Sequence, residues 1–397
     1  MSNLLDKASV ILTPTAYNTS EALCVKPSDG TGDFDFLRAT DATRINSLGL
    51  IETNAINLPR INYENGCGSF LFEPQSTNLV ITSDTGVYGS SPASEILEIS
   101  PDGTINAVRP VPSTGSNRYQ QTLAAGVYSS GQKLTYSWYR KRISTPVEDT
   151  YVGDLYLNIL VNITVFEATT QIQSNINGYD RFQVVIQITD GSLSSIFRAY
   201  FGAIIGTGNS SVAYWGHQYE IGDYATSIIP TDGSTVTRNQ DLCTNGGSLA
   251  SINSTEGVLY AEIAALENTT SAQFITISDG TYNNRASISL SSSSAFSFRV
   301  FLRVGGVPQV DRNILVSDVT DFNKVALSYK ENDFKIYVNG SLVQSYTSGS
   351  VWGSNTINNL SFSEIGFQSG AFNGKTKCLA VWKEALTDAE LTELTTI

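Results

Sequence analysis

The chain is short of the side chains that carry most enzyme chemistry. A single histidine, His217, stands among 397 residues, which excludes a two-histidine metal site and leaves room for at most one Ser-His-Asp arrangement. His217 lies in the strand-like word WGHQYEIG beside Gln218 and Glu220, and with no GxSxG nucleophile elbow in the chain it reads as a hydrogen-bonded structural residue. Four cysteines, Cys24, Cys67, Cys243 and Cys378, show no CxxC spacing. That argues against a zinc cluster and for buried, reduced thiols, with a Cys24 to Cys67 bridge left open. Charge is scarce at 15% of residues, and 24 basic against 37 acidic side chains leave a formal charge of −13. Such a surface repels phosphate backbones and anionic lipid, so nucleic acid and membrane are set aside as partners. No apolar run reaches transmembrane length, and MSNLLDKASVILTPTAYNTSE lacks the basic, apolar and cleavage regions of a secretory signal. The expectation is a protein made in a cytoplasm, for which sequons such as Asn18, Asn162 and Asn268 carry no weight.

What is abundant points to β-structure. Hydrophobic residues make up 41%, glycines number 32, and Ser, Thr and Asn recur throughout, a composition of strands and turns in which helices are few. The length suits two domains plus a smaller piece. Residues 1–75 show weak periodicity, with apolar clusters at Phe34, Phe36 and Leu37, at Ile45, Leu48, Leu50 and Ile51, and at Phe70, Leu71 and Phe72. Arg38, Arg44, Arg60 and Glu73 are expected to pair there as surface ion pairs on a strap-like hairpin. From 76 to 243 the period becomes two: Leu134, Tyr136 and Trp138 alternate with Thr135, Ser137 and Tyr139. Leu155, Leu157, Ile159 and Val161 follow, then Phe182, Val184, Ile186 and Ile188 before the turn Asp190-Gly191 and the return through Ile196 and Phe197. From 244 to 397 strands end at Asp279-Gly280 and at Gly305-Gly306, and Lys324 to Tyr346 forms a hairpin pair turning at Glu331-Asn332-Asp333 and at Asn339-Gly340. Thr387 to Glu390 is a capping box with Leu386 and Leu391 as its staple, which predicts one short C-terminal helix.

A search for chemistry yields binding residues and no catalytic ones. The glucanase pattern Glu-x-Asp-x-x-Glu is missing, and its nearest approach, Glu331-Asn332-Asp333, lies in a turn with Ile336 where the second Glu belongs. The word Gly202 to Gly208 lacks the Lys-Ser/Thr of a P-loop. Asp318 to Asp321 offers oxygen ligands suited to calcium without EF-hand spacing, so calcium stays open as a cofactor and no other is expected. Sugar binding needs an exposed aromatic face beside amides and charged groups. Trp352 in its Gly-Ser-rich loop, and Tyr282 with Asn283, Asn284 and Arg285 after the Asp279-Gly280 turn, have those residue types. Trp138, Trp215 and Trp382 lie in strand patterns and belong to cores.

Three groups of words carry a family resemblance. Ala42-Thr43-Arg44, Asn57-x-Pro59-Arg60 and Glu73-Pro74-Gln75-x-Thr77-Asn78-Leu79 come in that order. So do Trp215-Gly216-x-Gln218-x-Glu220-x-Gly222, Tyr224-Ala225-Thr226-Ser227, Ile229-Pro230-Thr231 and Thr237-Arg238-x-x-Asp241. Both groups resemble the carbohydrate-binding-module-like domain of many tailed-phage fibre and tail proteins. The string DFKIYVNGSLV and the capped ending resemble a concanavalin A/laminin-G-like domain, which comes next in that family. The resemblance implies an all-β protein of two antiparallel β-sandwich jelly rolls, at 76–243 and 244–397, with an N-terminal docking strap at 1–75 and a short C-terminal helix. It implies a non-enzymatic virion protein, a head or tail fibre or appendage, homo-oligomeric and trimeric by analogy, which contacts other virion proteins and host-surface carbohydrate. The alternative is a phage-borne polysaccharide depolymerase.

Overall fold

In the computed structural model the described residues are 2–64, 66–83, 87–88, 94–111, 119–123, 128–143, 156–158, 163–189, 197–201, 212–268, 271–291, 296–365 and 370–397. The turn Asp190-Gly191, the positions Leu155, Ile159, Val161 and Ile196, the sequon Asn162 and the word Gly202 to Gly208 lie outside them. Strands dominate, and the helices among the described residues are Ser2–Lys7 and Asp388–Thr395. The chain forms two compact units: residues 1–39, 54–74 and 240–397, and residues 40–53 and 75–239.

The first unit is a sandwich. One sheet runs in the order Ser341–Tyr346, Asp333–Val338, Asn323–Lys330, Glu256–Ala265, Gly374–Trp382, Cys67–Phe72, Ile61–Glu64. The far side of Gly374–Trp382 is shared by two N-terminal strands: Phe72 pairs with Gly374 at one end, and Val10 with Val381 at the other. The second sheet runs Val307–Leu315, Ser297–Val304, Arg285–Leu290, Gln273–Ser278, Asn359–Ser361. Strict alternation splits each strand between core and exterior. Val325, Leu327 and Tyr329 meet Phe334, Ile336 and Val338 in one core with Ile275, Ile277, Ile288, Val300 and Leu302 of the other sheet. Asn339 and Gly340 both have positive φ, 49° and 82°, the conformation that a two-residue hairpin turn demands and that a β-branched residue would resist.

The C-terminal helix is as the sequence predicts. Thr387 and Glu390 form the reciprocal capping box, and Leu386, Leu391 and Leu394 pack with Val258, Tyr260, Tyr337 and Trp382 on the outer face of the first sheet. A helix of 8 residues is too short to hold alone in water, so this packing stabilises it. Lys7 reaches Glu390 at 2.5 Å, and Trp382 Nε1 donates to Leu4 O at 2.8 Å.

The expected separate strap at 1–75 is not a body of its own. Phe34, Phe36, Phe70 and Phe72 belong to the core of the first unit, whereas Ile45 and Ile51 pack in the second. Nor are its ion pairs superficial. Arg60 Nη1 lies 2.6 Å from Glu73, Arg60 Nη2 bonds to Asp241, and Arg38 Nη1 lies 3.0 Å from Asp241, with all four side chains almost fully buried. The carboxylate of Asp241 also accepts from Glu73 N at 2.9 Å, and Arg38 Nη2 donates to Asn54 O and Ala55 O. Arg44 pairs elsewhere, with Glu52. Among the cysteines, Cys24 and Cys243 are buried, Cys378 is half-buried, Cys67 is exposed, and all four are free thiols. Burial pushes the Cys24 thiol up to about 12.

The second unit is built on a six-stranded sheet in the order Ser94–Ile99, Ile105–Val111, Val212–Ile221, Lys133–Arg142, Tyr179–Ile188, Ile163–Ile176. Leu134, Tyr136 and Trp138 join Phe182, Val184, Ile186 and Tyr219 in its core. The alternate positions Thr135, Ser137 and Tyr139 are buried as well, because Ile45, Ile51 and Ile228 cover that face beside Tyr139, Tyr179 and Trp215. The words that resemble the phage family form a second buried network here. Glu220 accepts from Ser76 Oγ at 2.6 Å, Gln218 Nε2 at 2.6 Å and Thr226 N at 3.0 Å. Asn78 Nδ2 donates to His217 O and Ile229 O at 3.1 and 2.9 Å.

His217 is buried, its Nδ1 2.7 Å from the Tyr136 hydroxyl, and burial lowers its pKa to about 3. It is therefore held neutral and structural. Both buried sites can be checked by stability measurements. Asp241→Asn should cost the full-length chain roughly 3–5 kcal/mol in urea denaturation, since the buried charges of Arg38 and Arg60 lose the carboxylate they share. The unfolded chain protonates His217 near the ordinary value and the folded chain only near 3, so stability falls as pH drops through that window. His217→Gln should flatten this acid limb of the stability profile, read by thermal unfolding at stepped pH.

Candidate functional site

The face of the five-stranded sheet turned away from the core carries a cluster of polar and charged groups around one phenyl ring. Each of its strands turns apolar residues inward, so the alternate positions line up across the sheet in rows. One row runs Ser361, Thr276, Ser287, Phe301, Asp311, and the next runs Asn359, Ser278, Arg285, Arg303, Pro308. Beyond Phe301 on the other side stand Ser289, Arg299 and Asn313. Three guanidinium groups therefore surround one phenyl ring: the Cζ atoms of Arg299, Arg303 and Arg285 lie 4.8, 5.2 and 5.3 Å from the Phe301 centroid. Stacking on an aromatic face fixes the plane of each guanidinium and leaves its N–H edge for polar partners.

The three arginines are not equivalent. Arg299 grips Asp311 through Nε and Nη2, both at 2.8 Å, and this bond raises its pKa. Arg285 Nη1 lies 2.7 Å from Glu364, and its guanidinium stacks on the Tyr282 ring at 5.1 Å. Arg303 has no carboxylate partner among the described residues; its Nη1 makes one long bond, 3.5 Å, to Tyr282 O. Beneath this layer the hydroxyls of Thr276 and Ser287 are buried without a hydrogen-bond partner among the described residues, as are Arg285 Nε and Arg303 Nε. A buried polar group left so costs about 1–3 kcal/mol.

The structure brings all four sugar-binding candidates to this end of the sheet, in different roles. Tyr282 is 47% exposed and is the one aromatic ring of the set that is displayed. Arg285 is mostly buried and engaged by Glu364. Asn284 is a brace: its Nδ2 donates to Asp279 at 2.8 Å, and its Oδ1 accepts from Gly305 N at 2.8 Å, tying two turns together. Trp352 corrects the expectation of an exposed ring, being only 2% accessible. It packs edge-on against Tyr329 at 5.4 Å and donates Nε1 to Arg303 O at 2.8 Å, so it supports the strand that carries Arg303 from the core side. Phe301, Arg299, Arg303, Thr276 and Ser287 escaped the motif search, although the alternation in QFITIS, RASISL and SFRVFLRV places them on one face.

The other candidates bring no chemistry together. Asp318 Oδ1 accepts from Thr320 N and Oγ1 at 2.8 and 2.7 Å, and among the described residues no three acidic, histidine or cysteine side chains converge on a common point. Asp333, in the turn weighed as a carboxylate pair, lies 3.7 Å from Lys335.

Residues 247–392 match the family model described as the concanavalin A-like lectin/glucanases superfamily. The whole polar face lies inside that match. Comparison with curated proteins gives no match. Similar solved structures include the CBM40 of the Ruminococcus gnavus IT-sialidase, with 14% identity over 38% of this chain and 93% of that one and a TM-score of 0.32. Another is Domain 4 of AbnA, a GH43 extracellular arabinanase from Geobacillus stearothermophilus, in complex with arabinotriose, with 14% identity over 44% and 84% and a TM-score of 0.31. The binding domain of botulinum neurotoxin serotype D has 11% identity over 38% and 39% and a TM-score of 0.29. Likenesses this low carry no argument about function, which has to come from the site itself.

Since Trp352 fills core space, Trp352→Ala should destabilise the protein by roughly 3–5 kcal/mol. A midpoint of thermal unfolding unchanged from wild type would show the ring to be dispensable for the fold.

Proposed function

We propose that this chain binds carbohydrate through the outer face of the five-stranded sheet and makes or breaks no bonds in doing so. One observation carries the reading: within the concanavalin A-like region, a displayed Tyr282 ring adjoins the stacked guanidinium of Arg285 and the Arg303 side chain that bonds to its carbonyl. Sugars offer C–H faces to aromatic rings and dense hydroxyls to such groups. The non-enzymatic half rests on the carboxylates of this face. Asp311 is held by Arg299 and Glu364 by Arg285, so neither stands ready as the acid or the nucleophile of a glycosidase pair.

The wider setting comes from the resemblance of 42–79 and 215–241 to tailed-phage fibre and tail proteins. In this reading the protein is part of a virion, a head or tail fibre or appendage, repeated as a homo-oligomer, for which a trimer fits the family. Repetition suits a weak site, because avidity can raise apparent affinity by roughly 10²–10⁴ when geometry permits. The glycans concerned are those of a bacterial surface.

The test is an array of bacterial surface polysaccharides probed with the full chain, alongside a reducing-sugar assay. The expected result is saturable binding, weakened about tenfold by Tyr282→Ala, with no release of reducing ends. Turnover on any bound polysaccharide would refute the non-enzymatic half, and no binding to any member would refute the whole.

A further inference from the structure

We propose that this face selects sugars bearing a carboxylate, with Arg303 as the group that receives it. The inference rests on the carbohydrate-binding reading above and names the class of sugar. Three guanidinium groups around Phe301 face two carboxylates, Asp311 and Glu364, which among the described residues leaves one cation without a carboxylate on a protein whose formal charge is −13. That cation is Arg303. Its neighbours across the strands are Arg285 and Pro308, neither of which supplies an acceptor side chain.

The position is also built. Trp352 Nε1 holds the Arg303 carbonyl at 2.8 Å, Phe301 supports the guanidinium plane from one side, and Asn284 fixes the turn beyond it through Gly305 N. A guanidinium held in plane presents paired N–H donors that match a carboxylate's two oxygens, and such charge-assisted bonds are shorter and stronger than the 3.5 Å bond to Tyr282 O that one of them would displace. The internal carboxylates indicate the same preference, for Asp311 already occupies Arg299 with the two-point geometry that Arg303 offers to a ligand.

The experiment uses the full chain on an array of acidic oligosaccharides, uronates and other sugar carboxylates, each printed beside its carboxyl-reduced counterpart and beside phosphate-bearing sugars. The expected result is preference for at least one carboxylate over its reduced form by about tenfold or more. That preference should vanish in Arg303→Gln at an unchanged unfolding midpoint. Asp311→Asn frees Arg299 and should tighten binding to the same carboxylate several-fold, a gain that misfolding cannot produce. Equal binding of acid and reduced forms, or preference for phosphate, would overturn the carboxylate assignment and leave carbohydrate binding standing. Silence across the whole array would overturn both.

Discussion

The fold of the first unit depends on one buried carboxylate. Asp241 takes Arg38 through one oxygen, and through the other Arg60 together with the backbone N–H of Glu73. The four points it joins, at 38, 60, 73 and 241, each adjoin a strand: Phe34–Leu37, Ile61–Glu64, Cys67–Phe72 and Leu242–Thr244. Burying four charges costs several kcal/mol apiece in lost hydration and is recovered only if each is hydrogen-bonded in good geometry. Here the extra bonds from Arg38 to the carbonyls of Asn54, Ala55 and Leu58 complete the set. Such a cluster adds little net stability over an apolar equivalent. What it fixes is which segment meets which.

The second unit relies on a different set of buried polar groups for the same purpose. Glu220, Gln218, Asn78 and Thr226 bind one another and the backbone of Thr226, Ser227 and Ile229, so an irregular stretch finds side-chain partners for its amides and carbonyls. Every one of these residues lies in a word that carries the family resemblance, and all are buried polar side chains. Their spacing in the sequence is that of a bonding pattern.

This accounts for what could be read in advance. The alternation around Leu134 and Val325, the Asn339-Gly340 turn and the Thr387 capping box are local signals, set by a few consecutive side chains, and they reappear in the structure as strands, hairpin and helix. Arg60 and Asp241 are separated by 181 positions, and no local pattern distinguishes a buried pair at that range from two surface charges. The same holds for Trp352: its flanking glycines and serines describe a loop, but the Tyr329 ring and the Arg303 carbonyl that bury it come from two other strands. The residues of the candidate face were half legible. Tyr282 and Arg285 stood out by type, whereas Arg299, Phe301 and Arg303 needed the register of one strand against the next.

The Asp241 N–H also bonds to Glu73 O at 3.0 Å, so the chain leaves the first unit and re-enters it at points one hydrogen bond apart. Residues 40–53 belong to the second unit as well, so that unit is supplied by two separate stretches of chain, and only the longer one, 75–239, begins and ends beside this bond. A change of length within 75–239 therefore leaves the pairing of Glu73 with Asp241 in place, whereas a change within 40–53 falls between Arg38 and the Asn54 and Ala55 carbonyls it binds.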